Sequence, residues 1–327
     1  GDRSLLAQAV DRLHGLIPPE RVFVVTKQDV VAAAIEAAPD LPPANIIGEP
    51  VGRDTAAAVA LGAALVKARD PQAAFAVLTA DHVMGDLDCF RATLRESLAL
   101  ARRQDVLITI GIPPTEPSTA YGYIETGAAL GEHGGVPFLK AKRFVEKPPL
   151  DQARAYVEAG TYCWNSGMFI WSVAAVERAF AAHRPALAGL LNRLSDADRH
   201  GQLVAALATE YPALEKISID YALMEKASNI VMARGLFRWD DVGSWTALEN
   251  HFPKDAANNV VVGDAQVLGG AGNIVYSRGQ LTAVIGLENV IVVQAAGVTL
   301  VCAKDRAQDI KKLLEQVRAT GRHQDVL

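Results

Sequence analysis

An α/β fold, built on a mixed, mainly parallel sheet and followed by a small β-rich module, is what this sequence predicts, and three observations predict it. Over the first ~115 residues, short β-branched runs alternate with helical patterns roughly 10–15 residues long, as βαβ units do. Runs such as "AVL" and "LITI" are apolar without alternation, so helices must cover both faces of the sheet. From about residue 255 the composition changes to Val-rich runs broken by Gly and Asn. The expected division is therefore residues 1–254 and residues 255–327.

The elements follow in order. "GDRSLLAQAVDRL" enters a helix at once, with Asp2 or Ser4 placed to cap it and Leu5, Leu6, Ala9, Val10 and Leu13 as its apolar stripe. "RVFVVT" (21–26) reads as a strand, then a helix runs from Gln28 to about Ala38. "NIIGEP" (45–50) is the next strand. "TAAAVALGAALVKARD" (55–70) is an Ala-rich helix with Thr55 as its expected cap. "AFAVLTADH" (74–82) is a buried strand with a polar end, followed by a helix at 88–103 and the strand "DVLITIGI" (105–112). "PPTEPSTAYGYIE" (113–125) is a loop leading to a short strand. "FLKAKRFVEKPP" (138–149) is a strand halted by two prolines. "NSGMFIWSV" (165–173) is another strand, helical patterns fill about 173–227, and "NIVMARG" and "LFRWDDVG" give two short strands. A helix can start at Ser244. The tail reads as short strands turned by Gly and Asn without a strict period, closed by a helix at about 306–320.

Composition narrows the function classes. The chain has 327 residues and a net charge of −5 with both signs interspersed, so no basic block points to nucleic acid. No apolar run approaches the ~18 residues of a membrane span, and no secretory signal opens the chain. Cys89, Cys163 and Cys302 show neither metal spacing nor a disulfide framework, which predicts a reducing, cytoplasmic setting.

Chemistry concentrates at strand ends, where open α/β sheets hold ligands. Asp81 and His82 follow "AVLTA", Glu146 and Lys147 follow "RFV", Asn165 and Ser166 open a strand, and Asp240 and Asp241 close one. Singly, each has a plain explanation: a cap, a solvated turn, a local hydrogen bond. Together, separated aspartates with a Lys and a Glu suit a hard cation, a phosphate and a polyol. "GEPVGRDTAAAVALG" (48–62) adds Arg53 as a forked donor and a helix start at Asp54 and Thr55, whose backbone N–H groups suit an anion unless the helix is simply capped.

The stretches "GEPVGRDTAAA", "LTADH", "YGYIE", "RFVEKP", "WNSGMF", "SIDYALMEK" and "DDVGSW", in this order, closely resemble the mannose-1-phosphate guanylyltransferases (GDP-mannose pyrophosphorylases) of the sugar-nucleotidyltransferase superfamily. The resemblance spans nearly the whole chain. It implies a Rossmann-like nucleotide-diphospho-sugar transferase domain and a C-terminal β-helix-like module of the short, monofunctional kind, with no room for a fused isomerase domain. The family opens with a strand and a Gly-rich triphosphate loop, "GGxGTRLWPLS" then "PKQF". The 327 residues begin just after it, so a native chain is expected to carry it ahead of Gly1, and a polypeptide without it to be poorly active. Asp54 stands where Asn is common, and Thr79 where Pro is usual.

The implied reaction is GTP plus α-D-mannose 1-phosphate giving GDP-mannose and diphosphate, by in-line attack of the sugar phosphate on the α-phosphorus with Mg²⁺ or another divalent cation. By resemblance, Asp81 and Asp241 ligate the metal and Lys147 contacts the sugar phosphate. Glu146, Asn165 and Gly122 seat the sugar, and Glu49, Arg53, Asp54 and Thr55 lie beside the nucleotide. No general base is needed for an already ionised nucleophile, so His82 is not assigned as one. Asp240 is left as a support behind Asp241 or a solvated neighbour, and Trp239 and Trp245 as packing rather than a base-stacking platform. A homodimer is expected from the tail's strand edges. Two other readings stand beside this one: transfer to another sugar 1-phosphate or from another nucleotide, and a catalytically silent sugar-nucleotide-binding subunit.

Overall fold

The computed structural model describes residues 3–323 and divides the chain into two compact units, Gly1–Trp239 and Asp240–Leu327. The first unit runs α1 (Leu5–Asp11), β1 (Val24–Lys27), α2 (Val31–Ala37), β2 (Ile46–Glu49), α3 (Asp54–Arg69), β3 (Ala74–Val77), β4 (Val83–Met84), α4 (Leu87–Arg103), β5 (Leu107–Ile112), β6 (Tyr123–His133), β7 (Val136–Val145), α5 (Leu150–Ala159), β8 (Tyr162–Ser172), α6 (Val173–His183), α7 (Pro185–Arg199), α8 (Leu203–Glu210) and β9 (Ile230–Arg234), with a two-residue strand β10 (Trp239–Asp240) at the break. Ser4 caps α1 by accepting from the Ala7 N–H; Asp2 lies outside the described residues.

The main sheet has the order β3-β8-β5-β9-β7-β6, and side chains alternate across it. Leu107, Phe169 and Trp171 enter one apolar cluster with α3, α6 and α7, while Ile108, Ile110, Met168 and Ile170 enter another with Phe90 and Leu94 of α4. Every residue of β5 is buried, which is what a strand covered on both faces requires. Each fully buried Leu or Ile contributes about 1.5–3 kcal/mol of apolar burial. In α3, Ala56, Ala57, Ala60, Ala63 and Ala64 are all buried. The small side chains of this helix let it lie deep in the unit, in contact with α7.

The α/β class stands, but the expectation of a mainly parallel sheet does not. Among the described pairings of the main sheet, only β5–β9 is parallel; β3–β8, β5–β8, β7–β9, β6–β7 and β6–β8 are antiparallel. A separate pair, β1–β2, is parallel. Part of the cause is the β6–β7 hairpin, whose tight turn at Gly134 and Gly135, both in the left-handed region, forces antiparallel pairing. The expected short strand there is eleven residues long. Its outer half is exposed and interrupted by Gly127 and Gly131, so it carries no alternation to read. Helix α5 was also illegible, since it buries only Ala153 and Tyr156. A second correction concerns Thr55, which does not cap α3. The cap position is Arg53, and the Thr55 hydroxyl instead accepts the backbone N–H of Ile219 at 2.8 Å.

The second unit contains α9 (Leu248–His251), β11 (Val260–Leu268), β12 (Ile274–Ile285), β13 (Val290–Ala295), β14 (Val298–Ala303) and α10 (Ile310–Ala319). β11, β12 and β13 stack in parallel and β14 closes antiparallel. Buried Asn259 and Asn273 link the coils: the Asn259 side chain accepts the Asn273 N–H, and the Asn273 side chain accepts the Val290 N–H. This unit begins ahead of the expected boundary at 254/255. Trp245, Leu248 and Phe252 pack on Val260, Ile274, Ile291 and Val293, so their burial belongs to the β-rich core. Among the described residues, no helix is long and apolar enough to cross a membrane.

Candidate functional site

In the first unit, three loop ends meet around Asn165. The chain enters β6 through buried Gly122, whose carbonyl accepts the Asn165 N–H at 2.8 Å. The Glu146 carboxylate, just past β7, rests against Gly122 so closely that a Cβ there would fall on Glu146 Oε2. Lys147 Nζ lies 2.9 Å from Glu146 Oε1, and this bond holds the ammonium pKa above its usual value. Lys147 has φ 46 and precedes Pro148, an uncommon backbone state for a side-chain-bearing residue and one a following proline disfavours. Strain of this kind gathers at functional positions.

Asn165 joins these groups to a residue the sequence reading did not single out. Its Nδ2 donates to Asp220 Oδ1 at 2.8 Å, while its Oδ1 accepts from Thr109 Oγ1 at 3.2 Å and from the Gly167 N–H at 3.3 Å. Asp220 begins a single π-turn, Asp220–Met224, a form frequent at functional sites. Burial first, then the charge of Glu146, push its pKa up to about 6, against the Asn165 bond. The available signal was an acid leading the apolar run in "SIDYALMEK".

The residues expected beside a nucleotide converge on the segment 211–219. Glu49, at the end of β2, accepts from the buried Tyr211 hydroxyl at 2.6 Å. Desolvation raises the Glu49 pKa and the tyrosine bond opposes the rise. Arg53 donates to the carbonyls of Tyr211 and Pro212. Asp54 has φ 65, and its carboxylate accepts the Thr55 N–H at 2.7 Å. The Ala56 N–H reaches the Ile217 carbonyl at 3.2 Å. The start of α3 thus spends the Thr55 and Ala56 N–H groups on the protein itself, where the sequence suggested an anion.

Asp81 follows β3 with its carboxylate largely exposed, 3.7 Å from His82 Nε2. His82 Nδ1 accepts from Trp239 Nε1 at 3.0 Å, which leaves the proton of a neutral ring on Nε2, facing Asp81. Trp239 also packs edge-on against Tyr121, which packs on Trp164, so it is a structural wall. Arg12, the residue that ends α1 and unremarked in the sequence, is buried, donates to the His82 carbonyl at 3.0 Å and feels Asp81 electrostatically.

In the second unit, Asp240 and Asp241 serve different ends. Asp240 accepts from the Val242 N–H at 2.8 Å, from Asn250 at 3.1 Å and lies 3.0 Å from His251 Nε2, so it braces the turn. Asp241 Oδ1 accepts the Gly243 N–H at 3.0 Å, and a Cβ at Gly243 would meet Asp241 Oδ2 at 2.7 Å. Val242 between them has φ 49, rare for a β-branched residue. Trp245 packs on Tyr276.

The donor chemistry of Asp81, in the segment after β3, and of Asp241, on its constrained turn after β10, is that of hard carboxylate oxygens, which suit a divalent cation. Asp11, His14 and Asp40 also bring ligand atoms within 4.8 Å of one another, though Asp11 already pairs with Arg3. Around Asn165, a cation, a carboxylate and an amide are disposed to hold an anionic polyol.

Residues 2–258 match the family described as Nucleotidyl transferase, and residues 250–317 the MannoseP isomerase/GMP-like beta-helix domain. The chain is 35% identical to a mannose-1-phosphate guanylyltransferase of Escherichia coli K12, across 99% of this chain and 68% of that protein. It is 34% identical to the alginate biosynthesis protein AlgA of Pseudomonas aeruginosa, across 98% and 67% respectively. Among solved structures it aligns with one described as a mannose-1-phosphate geranyltransferase from Thermus thermophilus, at a TM-score of 0.83 and 34% identity, covering 96% of this chain and 89% of that one.

Proposed function

The chain belongs to the nucleotidyl transferase family, and on that premise we propose that it transfers GMP from GTP to α-D-mannose 1-phosphate, forming GDP-mannose and diphosphate. The observation that carries the reading is the Gly122–Glu146–Lys147–Asn165 cluster, an ammonium suited to a phosphate beside a carboxylate and an amide suited to a polyol, in a chain similar to mannose-1-phosphate guanylyltransferases.

Both substrates are anions, so positioning and charge neutralisation supply most of the catalysis. Lys147 holds the sugar phosphate as a point charge, kept protonated by its bond to Glu146. The Glu146 carboxylate and the remaining N–H of the Asn165 amide take sugar hydroxyls, and Gly122 leaves room for the Glu146 carboxylate. Glu49, Arg53, Asp54 and Thr55 shape the nucleotide side through the 211–219 segment. Asp81 and Asp241 are each assigned as carboxylates for Mg²⁺, which when bound would neutralise phosphate charge. The attacking phosphate oxygen is already ionised, so no residue need act as a base. His82, fixed between Trp239 and Asp81, orients the loop that carries Asp81.

Three free thiols agree with a reducing cytoplasm. Exposed Leu268, Leu281, Ile285 and Val301 on the second unit suit a homodimer, which light scattering of the purified protein tests. The function itself is tested by diphosphate release from GTP, UTP and ATP, each with mannose and glucose 1-phosphates. GTP with mannose 1-phosphate should lead. Preference for another pair would replace the substrate assignment, and no release with any pair would leave a binding subunit instead.

A further inference from the structure

We propose that Asp220 is a positioning residue of the sugar-phosphate half-site, fixing which edge of the Asn165 carboxamide faces the sugar. The inference rests on the function proposed above. Asn165 is held on both sides. Its oxygen accepts from the Thr109 hydroxyl and the Gly167 N–H, and its nitrogen donates to Asp220. A flipped amide would set its NH₂ against the Gly167 N–H and its oxygen against the Asp220 carboxylate, so the observed orientation is the one the network permits. One amide proton is committed to Asp220, which fixes the direction of the other.

Asp220 is itself pinned. The N–H of its neighbour Ile219 is held by Thr55 at the start of α3, and Ala56 holds Ile217. The segment therefore ties the Glu49–Arg53–Thr55 group to the Asn165 group, and Asp220 is where they join.

The charged and polar groups around Asp220 come from three places. Glu146 and Lys147 face it from the end of β7, Asn165 faces it from β8, and Glu225 lies on its own turn. Burial first, then the acidic neighbours Glu146 and Glu225, push this carboxylate up to about 6. Once protonated it is a neutral and poorer acceptor, and the lock on the carboxamide weakens.

The test is steady-state kinetics of the full-length protein with Asp220→Ala and Asp220→Asn. The alanine variant should raise KM for mannose 1-phosphate about tenfold or more while leaving KM for GTP within about twofold. The asparagine variant keeps an oxygen acceptor without the charge and should recover part of that loss at pH 7.5, falling between alanine and the wild type. The phosphate monoester titrates near pH 6 as well, so the diagnostic is the difference between proteins. Wild-type KM should climb more steeply below pH 6.5 than that of Asp220→Asn. An unchanged sugar-phosphate KM in Asp220→Ala, equal losses for both substrates, or an asparagine variant as poor as alanine would each overturn the assignment. If the wild type fails to use mannose 1-phosphate, the functional reading falls, and the side-chain amide resonances of Asn165 decide the positioning claim alone. They should move with pH around 6 in the wild type and not in Asp220→Asn. A wild-type pair that does not move overturns the claim.

Discussion

Replacing Tyr211 by Phe removes one atom and tests how the nucleotide side is held together. Tyr211 is fully buried, and its hydroxyl donates to a Glu49 carboxylate oxygen at 2.6 Å, a short charge-assisted bond. Such bonds contribute about 1.5–3 kcal/mol. Glu49 is only half-buried and water can partly replace the donor, so the lower end, about 1–2 kcal/mol, is expected at pH 7. In a unit of this size that corresponds to a fall in Tm of roughly 2–8 °C. The pH dependence follows from Glu49. Burial raises its folded pKa, so the folded state binds more protons and loses stability as pH rises through the interval above the unfolded value of about 4.3. Losing the tyrosine bond raises the folded pKa further and extends that loss. The deficit of the variant should therefore be small at pH 4 and full at pH 7. Urea unfolding followed by tryptophan fluorescence reads it, since Trp164, Trp171 and Trp239 all lie in the first unit. Equal deficits at both pH values, or none at pH 7, would refute the reasoning.

Lys147→Ala should raise KM for mannose 1-phosphate by about 10–100-fold with little effect on GTP, since it removes a charge from one substrate's side; equal effects on both KM values would contradict that placement. Asp81→Asn and Asp241→Asn should each lower kcat by about 10²-fold or more with unchanged far-UV circular dichroism, the magnitude of losing a preorganised electrostatic group; a Mg²⁺ titration matching the wild type would remove either residue from the metal assignment. Gly122→Ala puts a methyl group where Glu146 Oε2 sits, so it should weaken sugar-phosphate binding and cost about 1–3 kcal/mol of stability, read by urea unfolding. An unchanged KM would mean Glu146 moves aside freely.

Strong local patterns made much of the fold legible. The apolar run of β5, the Ala-rich α3 and the Val-rich tail each name their element without tertiary help. The β6–β7 hairpin was obscured because half of it faces solvent and Gly interrupts it, and with it went the antiparallel character of the sheet. Among the candidate site residues, Glu146, Lys147 and Asn165 stood out because polar residues ending or opening apolar strands are conspicuous. Asp220, Tyr211 and Arg12 were not, because their partners lie 55 to 162 residues away and only folding brings them together. Thr55 shows the same limit: its position suggested a cap, while its partner, Ile219, lies 164 residues on. Asp240 and Asp241 look alike in "RWDDVGSW", yet their hydrogen bonds separate a brace from a candidate ligand.

The most direct test of the account is ³¹P NMR of the full-length protein supplied with GTP, mannose 1-phosphate and Mg²⁺. GDP-mannose and inorganic diphosphate should appear in equal amounts as both substrates disappear. GTP hydrolysed while mannose 1-phosphate remains intact would contradict it.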